Sequence, residues 1–225
     1  MKNLLLLIFG LLLTCITKGQ DKKISIGMVG SPDIYNYKFN NTFVFDQKFR
    51  TGFNYSAGVR LQYNFTNKVG LKTALQYATK GYILDYKWKA NAPNDPSIPK
   101  ESRCKLNYLD IPLMIAYNYL NLGKISLFAS TGIVTGFLIS SSEISIMEDG
   151  SKKETKFIQM FHSQKSNAIV LATELDLGIK FNLNEKLFLT FEPYFRYGLN
   201  KVDNYIIASN PTSFGGRFGL HYNLK

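Results

Sequence analysis

Residues 51–65, TGFNYSAGVRLQYNF, alternate in character without a break. From Phe53 the odd positions are Phe53, Tyr55, Ala57, Val59, Leu61, Tyr63 and Phe65. The even positions are Gly52, Asn54, Ser56, Gly58, Arg60, Gln62 and Asn64. Successive side chains of a strand point to opposite faces, so this is one strand with an apolar face and a small or polar face. It is about twice the length of an ordinary soluble strand. A transmembrane strand keeps roughly 9–11 residues in the hydrocarbon and lets its ends protrude, and this stretch fits that requirement. A chain organised around it is expected to be a barrel of such staves.

The rest of the sequence supplies seven more segments. Residues 24–29 place Ile24, Ile26 and Met28 on one side and form the weakest strand. Residues 69–77 put Val69, Leu71, Thr73, Leu75 and Tyr77 outward, and the alternation loses phase near Lys80 and Gly81, where a bulge or the membrane surface is expected. Residues 109–119, 125–139, 167–181, 187–199 and 214–224 complete the set. Pro112 and Pro193 fall inside strands, and a local bulge or distortion is expected at each, because proline leaves a ladder bond unmade. The connections alternate in length. Long loops are expected over 30–50, 89–103, 140–165 and 200–213, and tight turns at 66–68, 121–124 and 182–186. That asymmetry predicts an eight-stranded antiparallel up-and-down transmembrane β-barrel with short periplasmic turns and long extracellular loops.

Beyond the first twenty residues there is no run of about 18 apolar residues, so helical spans are excluded. Residues 1–19 carry Lys2, an apolar run from Leu4 to Leu13, and the small residues Thr17 and Gly19. They read as a cleaved signal peptide, with residues 20–225 as one barrel domain. A lipoprotein reading at Cys15 is disfavoured by Thr14 before it. Loss of Cys15 leaves Cys104 alone, so no disulfide framework is expected. Of the formal charge of +11, +9 stays on residues 20–225, 25 bases against 16 acids. The bases are dispersed and no nucleic-acid motif accompanies them, so the expected partners are outer-membrane lipids, lipopolysaccharide included, and no nucleic acid.

A secreted calyx would use the same strands with the faces inverted. Two features favour the membrane barrel. The polar face is rich in Gly, Ala, Ser and Asn and sparse in Lys and Glu, which makes a poor solvent surface. Aromatics also gather at the strand ends, Phe53, Tyr77, Phe137, Tyr197 and Phe214 at one rim and Tyr63, Phe65, Tyr119, Phe181 and Tyr222 at the other, as interfacial girdles do.

The inward face collects Arg60, Lys72, Lys180, Arg196 and Arg217 against Asp110, Glu174, Asp176 and Glu192, with His221 beside them. Paired carboxylates can serve as acid and base. An eight-stranded interior is only wide enough to be filled by side chains, however, so a structural charge network is the expected role. With only His162 and His221 present, no multi-histidine metal site and no cofactor are expected. A rim hydrolase would have to draw on His162, Ser163 and Asp149.

The segments LNYLDIPLMIAYNY (106–119) and FEPYFRYGL (191–199) resemble the PorT-like outer-membrane β-barrel family of Bacteroidetes, most specifically in YLDIPL at 108–113. The resemblance implies an eight-stranded outer-membrane barrel without a catalytic motif, and for some relatives a link to protein secretion. Leu224 followed by Lys225 departs from the family's aromatic end. The functional expectation is a non-enzymatic barrel that binds, scaffolds or assists secretion through its outer loops, with a possible protein partner in the envelope. A narrow passive channel stands as the alternative, and the loop-borne lipid-modifying hydrolase comes third.

Overall fold

A computed structural model describes residues 24–38, 45–88, 99–157, 167–202 and 210–224. The signal segment lies outside these residues, as do His162, Ser163 and Lys225. Among the described residues there are eleven strands: β1 (Ile24–Asn36), β2 (Phe45–Thr51), β3 (Asn54–Asn64), β4 (Val69–Thr79), β5 (Tyr82–Trp88), β6 (Glu101–Leu122), β7 (Ile125–Ile146), β8 (Lys152–Phe157), β9 (Ile169–Asn182), β10 (Leu187–Gly198) and β11 (Thr212–Leu224). Eight of them close a ring in the order β1-β3-β4-β6-β7-β9-β10-β11, with every neighbouring pair antiparallel. Closure satisfies the backbone groups that lipid cannot.

The apolar residues of the alternation point away from the lumen. Met28 is 73% exposed, Leu113 57% and Ile115 61%, while Met114 between the last two and Asp110 on the same inward face are buried. This orientation is the membrane barrel's and the reverse of a calyx. The girdle residues Phe53, Tyr119, Tyr197 and Phe214 lie on the same outer surface, with Tyr55 and Tyr77 in ring contact at one rim and Tyr63 and Phe65 at the other.

The tight turns are built by their side chains. Thr66 Oγ1 accepts from the amide N–H of Val69 at 2.9 Å. Asn184 Oδ1 accepts from those of Lys186 and Leu187 at 2.9 and 2.8 Å. Gly123, at φ +74°, lets a two-residue turn join β6 to β7.

The staves run higher than the sequence reading extends them. β1 continues through Asn36, past the expected end at Val29, and includes Pro32. β2 occupies part of the expected loop 30–50, Glu101 already belongs to β6, and the top of β7 together with β8 occupies much of the expected loop 140–165. The stave predicted over 51–65 is broken at Gly52 and Phe53, which separate β2 from β3.

The register shows how these pieces relate. Tyr82↔Cys104 in β5–β6 continues the register of Val69↔Tyr117 in β4–β6, so β5 is β4 resumed after Lys80 and Gly81. β2 similarly continues β3, offset by one residue. Above the outer rim, β2, β5, the upper halves of β6 and β7, and β8 stand as one five-stranded sheet.

Alternation keeps its spatial phase at Lys80 but reverses its chemistry. Lys80, Tyr82 and Leu84 stay buried with Ala78. The outward positions change from Leu75 and Tyr77 to Asp85 and Lys87. Water replaces lipid outside at this height, so the polar residues move outward and the apolar ones inward.

No register shift occurs at the prolines, which corrects the expected bulges. In β4–β6 the ladder passes from Thr73↔Leu113 to Gln76↔Asp110 in constant register, leaving the pairs at Pro112 unmade. β9–β10 omits the pairs at Pro193 and β1–β11 those at Pro32 in the same way. Each proline has a continuous ladder on its other side. The missing N–H removes bonding on one flank only, so the strand keeps its course. The register shifts in β6–β7 lie instead at Asn107/Tyr108 and Asn118/Leu120.

Candidate functional site: the lumen and its two ends

Inward side chains of β3, β4, β6, β9, β10 and β11 meet in one buried ionic network. Arg60 Nη1 is 2.5 Å from Glu192 Oε1, and Lys72 Nζ lies 3.1 Å from Glu192 Oε2 and 3.3 Å from Asp176 Oδ2. Arg217 reaches Glu174 at 3.0 Å, with Asp176 and Glu192 at 3.6 and 3.7 Å. Arg196 donates to Glu174 through Nη2 at 2.5 Å and to Asp110 through Nη1 at 3.1 Å. Lys80 Nζ completes the set, 2.6 Å from Asp110 Oδ1. Ser130 Oγ donates to Asp176 at 2.9 Å, and Tyr194 donates to Asp33, which Ser31 also contacts at 2.6 Å.

Nine of the ten residues expected inside are buried there, all but Lys180, and eight of them join this network. His221 is the ninth, stacked on Phe188 with ring centroids 4.8 Å apart and 3.2 Å from Thr190 Oγ1. Lys180 is half-buried, its Nζ 4.0 Å from the Phe188 ring centroid at the periplasmic mouth. Lys80 and Asp33 join the network although neither was expected inside. Their signal was the continuing parity of β4 and β1 past the apparent loss of pattern.

Among the described residues the buried network holds Arg60, Lys72, Lys80, Arg196 and Arg217 against Asp33, Asp110, Glu174, Asp176 and Glu192. Formal charge therefore balances, as burial away from water demands. Bulky inward rings fold over glycines of the next strand. A Cβ on Gly178 would come within 2.1 Å of the Phe128 ring, and one on Gly27 within 2.3 Å of His221. Only glycine leaves room for those rings.

Toward the cell exterior, Tyr35, Tyr37, Tyr82, Leu84, Leu106, Tyr108, Leu138, Val170 and Val202 form a continuous buried core, with Phe49, Tyr86 and Cys104 packed against it. Tyr35 and Tyr37 stack at 5.9 Å, and Tyr37 meets Tyr82 edge-on at 5.5 Å. Burial pushes the Tyr86 phenol up to about 12. Cys104 forms no disulfide. On the wetted side of the outer sheet, Arg50 pins β2 to its neighbours through Asp85 at 2.7 Å and Glu101 at 2.5 Å. Its hydrogen bond holds the Asp85 carboxyl below its usual range.

The other end is open. A cavity of about 380 Å³ lies among the periplasmic turns, lined by Asn, Thr and Ser side chains together with Phe65, Tyr119, Lys68 and Lys180. Among the described residues no group of three or more His, Cys, Asp or Glu is arranged to hold a metal ion. Of the rim-hydrolase residues only Asp149 is described. It caps the turn between β7 and β8 by accepting from the Ser151 amide at 2.8 Å.

Residues 18–204 match the model of a family described as outer membrane protein beta-barrel domain. No curated protein matches the chain. Among solved structures it is similar to Neisserial surface protein A, with TM-score 0.49 and 12% identity over 88% of this chain and 96% of that one. It is also similar to the N-terminal barrel of Pseudomonas aeruginosa OprF, with TM-score 0.42 and 15% identity over 90% and 97%. Ail of Yersinia pestis gives TM-score 0.45 and 12% identity over 91% and 100%.

Proposed function

This chain belongs to the outer membrane protein beta-barrel domain family, and from that premise we propose that it is a closed, non-enzymatic barrel that binds or scaffolds a protein partner at the cell surface. The observation that carries the reading is the contrast between the lumen and the outer sheet. Among the described residues the interior is occupied by a charge-balanced network beneath an aromatic core, which supports a plugged lumen over a hydrated path. Above the rim, by contrast, a sheet of five strands stands clear of the membrane and carries Lys48, Arg50, Arg103, Lys105, Lys152 and Lys156 among its outward side chains. A sheet this far from the bilayer adds nothing to spanning it. Its role is recognition.

Outer-membrane lipids, lipopolysaccharide included, surround the wall, and the dispersed basic charge suits their phosphates. The YLDIPL segment at 108–113 supports placing the chain among PorT-like barrels, with an accessory part in protein secretion as the finer reading. That role rests on resemblance. A photo-crosslinking residue at Glu154 in β8, activated on living cells, is expected to capture a discrete protein. The same residue at Asn184 in a periplasmic turn is expected not to capture it. Capture of the same protein from both positions, or from neither, overturns the reading.

A further inference from the structure

The outer sheet ends at β8, which pairs with β7 and, among the described residues, with no strand on its other side. The turn that leads into β8 fixes which of its backbone groups face that open side. The Met147 amide N–H donates to the Ser151 carbonyl at 2.9 Å, so Ser151 is turned toward β7. In an antiparallel pair this orientation alternates residue by residue. Lys153 and Thr155 are therefore turned toward β7, and Lys152, Glu154 and Lys156 away from it. Each of these three presents an N–H and a C=O to the open edge, a template for one more strand.

Their side chains decide which strand can use it. Lys152, Glu154 and Lys156 are exposed, and alternate residues of a strand share a face. The Lys156 ammonium lies 3.5 Å from Glu154, an exposed pair that contributes little and exchanges readily for another partner. A second copy of the chain is a poor occupant. In full antiparallel overlap Lys152 would face Lys156 and Glu154 would face Glu154, and like charges directly opposite repel. The complementary strand carries an acid, a base and an acid. We propose that the edge of β8 binds an extended segment of a partner protein by strand addition, the segment bearing acidic, basic and acidic residues at alternate positions opposite Lys152, Glu154 and Lys156. This names the mode and the partner chemistry of the surface role proposed above and rests on that reading. The two fail separately: a partner captured at position 154 without any peptide binding keeps the surface role and overturns the strand addition.

The test is fluorescence anisotropy of a labelled peptide, acetyl-Thr-Glu-Val-Lys-Val-Glu-Thr-amide, titrated with the full chain in detergent micelles. It is expected to bind with Kd below about 1 mM. A scrambled peptide of the same composition, Thr-Glu-Glu-Lys-Val-Val-Thr, is expected to bind about tenfold more weakly, because its charges miss their cross-strand positions. Glu154→Pro removes an outward N–H and leaves the β7 ladder intact. It is expected to keep the barrel's shift between unboiled and boiled samples on a gel and to weaken the peptide about tenfold. The triple variant Lys152→Glu, Glu154→Lys, Lys156→Glu is expected to prefer the peptide with its acids and bases exchanged. The proposal is overturned if the scrambled peptide binds as well, if Glu154→Pro leaves the affinity unchanged, or if the triple variant keeps the parent's preference. A dimer in micelles that Glu154→Pro dissociates would make the edge an interface between copies, and overturns it equally.

Discussion

Glu192 is fully buried, yet three cations surround it, Arg60 at 2.5 Å, Lys72 at 3.1 Å and Arg217 at 3.7 Å. Removing its charge while keeping its shape leaves those bases with one acid fewer in a medium where an uncompensated ion is costly. Glu192→Gln is therefore expected to destabilise the barrel by about 3–5 kcal/mol, measured by urea unfolding in micelles. Asp149→Asn, on an exposed turn, should stay within about 0.5 kcal/mol of the parent. Equal effects from the two changes would show that the network does not hold the fold. Parity alone placed Arg60, Glu192 and Arg217 inside, because period two assigns a face to every residue of a continuous strand. It did not extend to Asp33, which lies past the expected end of β1, or to Lys80, which sits where the pattern changes its chemistry.

Strands here change solvent along their length, and their sequences record it. Within the membrane β4 is apolar outside and polar inside. Its continuation β5 turns Tyr82 and Leu84 inward and Asp85 and Lys87 outward. β6 does the same, with Leu106 inward and Lys105 and Arg103 outward. A reading that waits for one kind of alternation stops at the membrane surface, which is why the outer halves of the staves resembled loops. β8 was harder still, because KKETKF has water-compatible residues on both faces and offers no contrast.

Pro193 leaves a gap on its β9 side and a complete ladder on its β11 side. Pro193→Ala restores a donor opposite β9. The regained bond roughly offsets the lost stiffness of proline in the unfolded chain, so stability is expected to stay within about 1 kcal/mol of wild type. The new amide at position 193 should be protected in hydrogen exchange. Rapid exchange there would mean that the gap has another cause.

At the scale of the whole molecule the lumen is layered. An open polar vestibule lies at the periplasmic end, a neutral ionic network fills the middle, and an aromatic core lies beneath the outer sheet. Ions crossing this interior would have to break pairs that burial makes strong. Purified protein in a planar bilayer is therefore expected to show no steady conductance, and reproducible single-channel steps would restore the channel reading.

Local order sufficed for part of this. Alternation, turn residues and loop lengths determined the eight staves and their faces, since each depends on residues close together in the chain. The partners of the lumen charges were decided by closure of the sheet. Arg60 meets Glu192 across 132 positions of sequence and Lys72 meets Asp176 across 104, contacts set by stagger and curvature that no local pattern encodes. The same geometry brought Lys80 to Asp110 and moved Lys180 out of the network to the vestibule. A side chain's face is a property of its strand, whereas its partner depends on how all the strands are wound together.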